Sequence, residues 1–104
     1  MTTSSRKRIV VTGVGVVSPV GQGIDSFWQN ITAGECGINQ ISAFDTEGFS
    51  CTIAGEVKDF DATEAFPSPK EVRRTDRFTQ FGIHAAWQAL KDSGLEITKE
   101  IEDE

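Results

Sequence analysis

The chain has 104 residues, of which 38% are hydrophobic, and its formal net charge of −6 argues against a surface built to bind nucleic acid. No apolar run approaches the roughly 18 residues of a membrane span, and no signal peptide precedes the first predicted strand, so the expected location is the cytosol. Two cysteines without a CxxC spacing and one histidine are too few ligands for a metal site.

The first predicted element is a strand near the N-terminal end. Ile9-Val10-Val11 is a continuous β-branched run, which is typical of a strand buried on both faces in a parallel sheet covered by helices. The remaining sequence predicts one or two helices and two short strands, too few to cover both faces of such a sheet. We therefore expect the chain to be part of a larger protein.

The next stretch, VVTGVGVVSPVG from Val10 to Gly21, raises the question of a phosphate-binding turn. Gly13 and Gly15 match the first two glycines of a dinucleotide-binding fingerprint, but Ser18 stands at the third glycine position. Glu35 has the spacing of the fingerprint's acidic residue but lies in a predicted turn instead of at the end of a second strand. The pattern favours a structural strand-to-loop turn over a phosphate cradle.

The middle of the chain predicts a helix, a long loop and a strand. Residues 25–33 form an amphipathic helix with Gly34 as its C-cap, because apolar residues recur at i, i+3, i+4 and i+7: Ile24, Phe27, Trp28 and Ile31. Glu35 to Ser50 reads as a long loop held by spaced apolar side chains. Cys51 to Val57 alternates like a strand, and Asp59 to Pro67 reads as an irregular link with about one helical turn.

Two helix start signals follow. Ser68-Pro69-Lys70-Glu71 combines an N-cap serine, a proline at the first helical position and a glutamate at the third, and Thr75-Asp76 marks a second start. The longest helical pattern, Arg77 to Ser93, ends at Gly94. Its polar stripe comprises Arg77, Gln80, His84, Gln88 and Lys91. Because small and aromatic residues fill the rest, we expect this helix to be packed on most of its sides.

Single residues with reactive side chains do not form a catalytic pattern. His84 belongs to the polar stripe with no acid or nucleophile placed beside it, so we expect a surface or interface histidine. Cys36 and Cys51 are expected to be small buried hydrophobic residues. No catalytic residue, metal site or cofactor site is assigned within this chain.

A cluster of basic residues in the C-terminal half of the chain is the candidate for a functional surface. Lys70, Arg73, Arg74 and Arg77 lie at i, i+3, i+4 and i+7, so one helical face would concentrate positive charge within an acidic chain. From the residues alone, this is either a solvated face with local pairs to Glu71 and Asp76 or a docking surface for an acidic partner. Residues 1–7 are expected to be a flexible N-terminus, residues 8–95 one segment of a domain, and residues 96–104 an acidic linker or a cut end.

Taken in order, these pieces resemble the N-terminal portion of a β-ketoacyl-[acyl carrier protein] synthase, closest to the elongating type II enzymes of fatty acid synthesis. The resemblance covers nearly the whole chain and rests on the following stretches: Arg8 to Gly21, Phe27-Trp28, Ala33-Gly34, Gly37-Ile38, Phe44-Asp45, Ala54 to Val57, Arg73 to Phe78 and Ala89 to Gly94.

The resemblance implies an α/β architecture, the thiolase-like αβαβα layered fold, which is incomplete in this chain and usually dimeric. Residues 9–12 would be a central strand, and the helix of residues 77–93 would pack against the sheet. The glycines after the strand would then permit a tight backbone path without any bound phosphate.

The chemistry that the resemblance implies is a decarboxylative Claisen condensation without a bound cofactor. A cysteine takes the acyl chain from a carrier protein, and two histidines help malonyl-carrier protein lose carbon dioxide and attack the thioester. Cys36, Cys51 and His84 match none of these three residues. The segment alone is therefore expected to be inactive.

One functional assignment carries over from the resemblance. Part of the family's basic patch for the acidic acyl carrier protein matches Lys70, Arg73 and Arg74, and Arg77 extends the same predicted face. Three alternatives stay open: a ketosynthase of type II polyketide synthesis, its non-catalytic chain-length factor, and a stand-alone carrier-protein-binding module.

Overall fold

The computed structural model describes residues 6–98, and its helices begin and end close to the predicted residues. Helix α1 spans Ile24–Thr32, α2 spans Pro69–Arg73 and α3 spans Arg77–Ser93, with a 3₁₀ turn at Ala62–Ala65 before α2. Gly94 follows α3 with φ 71°, a left-handed C-cap that glycine adopts without steric cost. The predictions for residues 1–5 and 99–104 fall outside the described residues.

The predicted helix starts are correct in position, but the side-chain capping hydrogen bonds expected there are not formed. Ser68 and Asp76 occupy the N-cap positions of α2 and α3 in extended conformation, and Pro69 is the first residue of α2. Neither N-cap side chain makes a capping hydrogen bond. The backbone preferences of these residues, rather than a closed capping box, therefore mark the starts.

The strands form two small antiparallel pairs. β1, Val17–Ser18, pairs with β2, Gly21–Gln22, while β3, Ile38–Gln40, pairs with β4, Ile53–Gly55. β4 lies inside the strand predicted for residues 51–57. β3 corrects the prediction of an uninterrupted loop over residues 35–50, because a strand of three residues is defined by its pairing with β4 and carries too short a pattern to be recognised alone.

The predicted N-terminal strand is not formed as expected. Residues 9–12 adopt no strand pairing among the described residues, and Ile9 is 94% exposed. The prediction of burial on both faces is therefore wrong for this chain. The physical reason is that residues 6–98 provide neither neighbouring strands nor covering helices for this apolar run.

The glycines of the following stretch serve close packing against α3. A Cβ atom at Gly13 would overlap the backbone of Ala89 and Ser93, and one at Gly15 would overlap the backbone of Ala85. This contact agrees with the prediction of a structural role. The two glycines let an extended backbone lie directly on a helix, which is one of the uses of glycine in sheet proteins.

Polar side chains of α3 hold this extended segment in place. The Val14 N–H donates to Asp92 Oδ2 at 3.0 Å, and the Val16 N–H donates to Gln88 Oε1 at 2.9 Å. These bonds satisfy backbone donors that would otherwise take part in a sheet ladder. The segment is therefore fixed by sequence-distant side chains of α3.

The burial of α3 departs from the predicted arrangement in the middle of its polar stripe and at the start of its apolar face. Gln80 and His84, from the predicted polar stripe, are 8% and 4% exposed, whereas Phe78 is 74% exposed. The expectation that α3 is packed on most of its sides is wrong for the described residues. Its inner face meets backbone polar groups of neighbouring segments, which require hydrogen-bonding side chains, and its apolar face has no cover.

Both cysteines also depart from the prediction. Cys36 and Cys51 are free and exposed instead of buried. Each lies two residues ahead of a short strand, and their sulfur atoms contact the carbonyl oxygens of Ile38 and Ile53 at 3.6 and 3.5 Å. Because the β3–β4 pair is covered by no second layer among residues 6–98, its flanking residues remain accessible.

An aromatic cluster provides the main side-chain packing. The Phe60 ring centroid lies 5.0 Å from that of Phe81 and 5.1 Å from that of His84, and the His84 and Trp87 centroids are 5.3 Å apart. Ala62, at 7% exposure, is the one buried apolar residue in the described part of the chain. The cluster joins the link before α2 to the inner face of α3.

The overall shape follows from this sparse core. The radius of gyration is 18.4 Å, with extents of 60 × 40 × 24 Å. A compact domain of this length has a radius of gyration of about 13 Å. The chain is therefore extended, as expected for part of a layered α/β fold.

Candidate functional site

The basic cluster lies at the corner between α2 and α3. Lys70 and Arg73 are in α2, Arg74 is its C-cap, and Arg77 is the first residue of α3. All four residues are exposed. The prediction of one continuous helical face is corrected here, because Thr75 and Asp76 separate two helices. We call these four residues the basic corner.

The members of the basic corner differ in their partners. Arg74 approaches the Glu71 carboxylate at 3.9 Å, and both side chains are largely exposed, so this pair is weak. Asp76, the other local partner considered, forms no salt bridge within residues 6–98. Lys70 and Arg73 also form none with any described residue. Two cations of α2 therefore have no carboxylate within salt-bridge distance in this part of the chain.

Arg77 is engaged by aromatic rings. Its guanidinium carbon lies 5.0 Å from the Phe60 centroid and 5.5 Å from the Phe81 centroid. Both distances are in the range of cation–π contacts. Arg77 therefore anchors the start of α3 to the aromatic cluster while keeping its charge at the surface.

Gln80 supports the turn beneath the basic corner, a role that the sequence pattern did not predict. Its side-chain amide donates to the Val72 carbonyl at 3.2 Å and to the Thr75 carbonyl at 3.1 Å. The pattern placed Gln80 on an outward polar stripe. The sequence did carry one signal for this role: Gln80 lies one turn after the start of α3, directly after the short helix α2. The last carbonyl groups of α2 have no partner within that helix, so a side-chain amide nearby can donate to them.

His84 is corrected from a surface histidine to a buried one. Gln88 Oε1 accepts from Val16, so its amide nitrogen faces His84 Nδ1 at 2.8 Å, and that ring nitrogen must accept. The ring proton therefore lies on Nε2, which is 3.7 Å from Glu64 Oε2. These contacts bind the 3₁₀ turn, α3 and the glycine segment to one another.

Two cavities flank the glycine segment. One, with a volume of about 420 Å³, is lined mainly by polar groups around β1, β2 and the start of β3, including Asn30 and Glu56. The other, about 350 Å³, lies between the residues before α1 and the inner face of α3, and His84 and Trp87 line it. Cys36 lines the first cavity and His84 lines the second, so neither of these cavities brings a cysteine and the histidine together.

Glu56 is held at the rim of the larger cavity by a loop. Its carboxylate accepts from the Ser42 N–H, the Ser42 hydroxyl and the Ala43 N–H, each at 3.0 Å. The hydrogen bond from the Ser42 backbone is the main reason that the pKa of Glu56 lies below its ordinary value. These contacts tie the carboxylate of Glu56 to the loop at Ser42 and Ala43.

The described residues hold no metal-binding cluster and no membrane-spanning helix. No three His, Cys, Asp or Glu side chains within residues 6–98 are grouped to hold a metal ion. In the same part of the chain, no helix has both the length and the apolar character needed to cross a bilayer.

Comparison with known proteins identifies the family. The family described as "Beta-ketoacyl synthase, N-terminal domain" matches residues 6–103. The chain is 52% identical over 96 residues to 3-oxoacyl-[acyl-carrier-protein] synthase 2 of Vibrio harveyi, an alignment that covers 92% of this chain and 23% of that protein. It is 42% identical over 104 residues to the protein of the same name from Synechocystis, covering 100% of this chain and 25% of that one.

A solved structure is similar in both fold and sequence. The ishigamide ketosynthase/chain length factor superposes with a TM-score of 0.79 at 36% identity, covering 93% of this chain and 23% of that chain. The chain thus spans about a quarter of the length of the curated relatives it matches. It contains part of an α/β, thiolase-like layered fold, and it belongs to the β-ketoacyl synthase family as a portion of that family's N-terminal domain.

Proposed function

We propose that this chain is the N-terminal part of an elongating β-ketoacyl-[acyl carrier protein] synthase of fatty acid biosynthesis. The complete enzyme would extend an acyl thioester by decarboxylative condensation with malonyl-carrier protein, as a cytoplasmic homodimer without a cofactor. The family match over residues 6–103 and the names of the relatives support this proposal. Because Cys36, Cys51 and His84 do not match the family's catalytic residues, this segment contributes scaffold and no catalytic group.

The function of the segment itself is docking of the acidic acyl carrier protein at the basic corner. The single observation that carries this proposal is the exposure of Lys70 and Arg73 without a salt-bridge partner in the described residues. Unpaired cations on the surface of a chain with a net charge of −6 create a local positive field. Such a field accelerates encounter with an acidic partner and is weakened by salt.

A second candidate function is that of a ketosynthase or chain-length factor in type II polyketide synthesis. It is favoured by the similarity to the ishigamide ketosynthase/chain length factor. Sequence downstream of this segment separates a synthase from a chain-length factor: a catalytic cysteine is expected in either synthase and absent in a chain-length factor. A stand-alone carrier-protein-binding module would have no such downstream domain.

The docking proposal is tested with charge reversal in the full-length protein. Arg73→Glu combined with Arg74→Glu is expected to raise the KM for acyl-carrier protein about tenfold, which corresponds to about 1.4 kcal/mol. The same acyl group on pantetheine lacks the carrier protein, so its KM should not change. The matched control is Arg6→Glu with Arg8→Glu, which makes the same change in net charge at the other exposed basic cluster. Equal carrier kinetics in both double variants would refute docking at the basic corner.

A further inference from the structure

The basic helix α2 is too short to hold its own orientation. It has five residues, Pro69–Arg73. Helices of this length are not stable in isolation, because nucleation is costly and few hydrogen bonds are gained. The directions in which Lys70 and Arg73 point therefore depend on contacts between α2 and the rest of the protein.

The C-terminal end of α2 is held by the side chain of Gln80. The Gln80 amide nitrogen donates one hydrogen bond to the Val72 carbonyl at 3.2 Å and one to the Thr75 carbonyl at 3.1 Å. Both amide hydrogens are used: one acceptor, Val72, lies in the last turn of α2, and the other, Thr75, lies in the turn that joins α2 to α3. The terminal carbonyls of a helix have no partner within the helix, and the Gln80 amide adds to the local donors of the Val72 carbonyl and supplies a donor to the Thr75 carbonyl.

Other contacts at this turn are local, whereas Gln80 joins two elements. The Thr75 N–H and hydroxyl both donate to the Val72 carbonyl, at 3.1 and 2.8 Å. These bonds close the last turn of α2 but do not connect it to α3. Gln80 lies in the first turn of α3 and is 8% exposed, so its hydrogen bonds are shielded from water. Loss of a buried donor costs more than loss of an exposed one.

We propose that Gln80 is a positioning residue for carrier-protein docking, which sets the angle between α2 and α3 and thereby the direction of the cations on α2. Gln80 itself contacts no partner, since it is buried beneath the basic corner. This inference rests on the docking function proposed above. It adds the residue that fixes the orientation of Lys70 and Arg73 relative to α3.

The test is Gln80→Met in the full-length protein. Methionine has a similar length and buries no charge, but it cannot donate to the Val72 and Thr75 carbonyls. The Kd for fluorescently labelled acyl-carrier protein, measured by anisotropy, should rise at least about fivefold, because the two hydrogen bonds that orient α2 are lost. The rate of acyl transfer from the pantetheine thioester should stay unchanged, because that substrate does not use α2.

The matched control is Gln88→Met, the same substitution two turns further along α3. Gln88 bonds to Val16 and His84, away from α2, so its replacement lowers stability without moving the basic corner. Carrier affinity should therefore be unchanged in Gln88→Met. Thermal unfolding of both variants, followed by circular dichroism, shows how much stability each loses.

Each outcome separates this inference from the docking proposal. If Gln80→Met binds carrier protein normally while Arg73→Glu with Arg74→Glu binds weakly, Gln80 does not position α2 and the inference is wrong. If the double charge reversal also binds normally, the docking proposal fails and this inference fails with it. If Gln80→Met loses carrier binding and pantetheine acylation in equal proportion, or does not fold, Gln80 is a general stability residue and the inference is overturned.

Discussion

At the residue scale, the contact between the glycine segment and α3 gives Gly13 and Gly15 a structural role in this nucleotide-like sequence pattern. Gly15 lies against the Ala85 carbonyl, and the next residue donates its N–H to Gln88. The two glycines are needed for approach of a helix, not of a phosphate. Side-chain acceptors on α3 then replace the anion as partners of the backbone N–H groups.

This packing predicts the effect of Gly15→Ala in the 104-residue chain. The added methyl group would meet the Ala85 backbone, which cannot rotate away, so the free energy of unfolding should fall by about 1–3 kcal/mol. Urea denaturation followed by circular dichroism measures the change. Gly82→Ala is the matched control, because a Cβ there meets no described atom within 4 Å and alanine favours the helix by about 1 kcal/mol. Equal stability of the two variants would contradict the close contact at Gly15.

The Glu56 carboxylate predicts an acid-sensitive loop. Its hydrogen bonds from Ser42 and Ala43 lower its pKa below the ordinary 4.5, so its stabilising effect is complete above that value and is lost as the pH falls through the lower folded pKa. The protection factors of the Ser42 and Ala43 amides, which compare their exchange rates with those of an unstructured chain at the same pH, should fall on acidification. Glu56→Gln should give low protection factors at all pH values, and Glu47→Gln, an exposed change in the same loop, should behave as the unmodified chain. Protection factors that do not change with pH in the unmodified chain would contradict this role.

At the scale of elements, helices could be predicted from local signals, whereas pairing and orientation could not. Gly94 ends α3 and Pro69 begins α2, and both effects act within a few residues. β3 was missed because only its pairing with β4 distinguishes it from a loop. The N-terminal strand was predicted from a clear β-branched pattern, but it does not form because its pairing partners are absent from residues 6–98.

The inner face of α3 shows why amphipathic periodicity did not predict the burial of Gln80 beneath the basic corner. Periodicity assumes that neighbouring elements present apolar surfaces, and then the apolar stripe is buried. Here the neighbours present backbone groups at Val16 and Val72, and these require Gln88 and Gln80. The charged residues of the basic corner were predictable because their exposure depends on charge alone. Their division between two helices, and the buried amide beneath them, depend on tertiary contacts.

At the scale of the whole molecule, charge and apolar surface are separated. The basic corner lies where the chain packs against its aromatic cluster, with Arg77 over Phe60 and Phe81. The apolar run at the N-terminal end and the outward face of α3 are uncovered. In a layered fold these are the surfaces that further strands and helices cover. The exposed N-terminal run and the cations of α2 therefore lie on different parts of the chain, whereas the apolar face of α3 begins at Phe78, next to Arg77.

This separation predicts the behaviour of the 104-residue chain on its own. Contiguous apolar surface on a soluble chain favours association, so sedimentation velocity should show oligomers whose proportion rises with concentration, and a dye that fluoresces on apolar surfaces should bind. Ile9→Lys with Val11→Lys places charge on the exposed run, and should reduce both effects without changing the helical circular dichroism signal, since neither side chain is buried. Arg6→Lys with Arg8→Lys keeps the charge and should change neither effect. A well-folded monomer that binds no dye would contradict the assignment of these faces as interior surfaces of a larger fold, because a chain with a radius of gyration of 18.4 Å would then be stable without covering them.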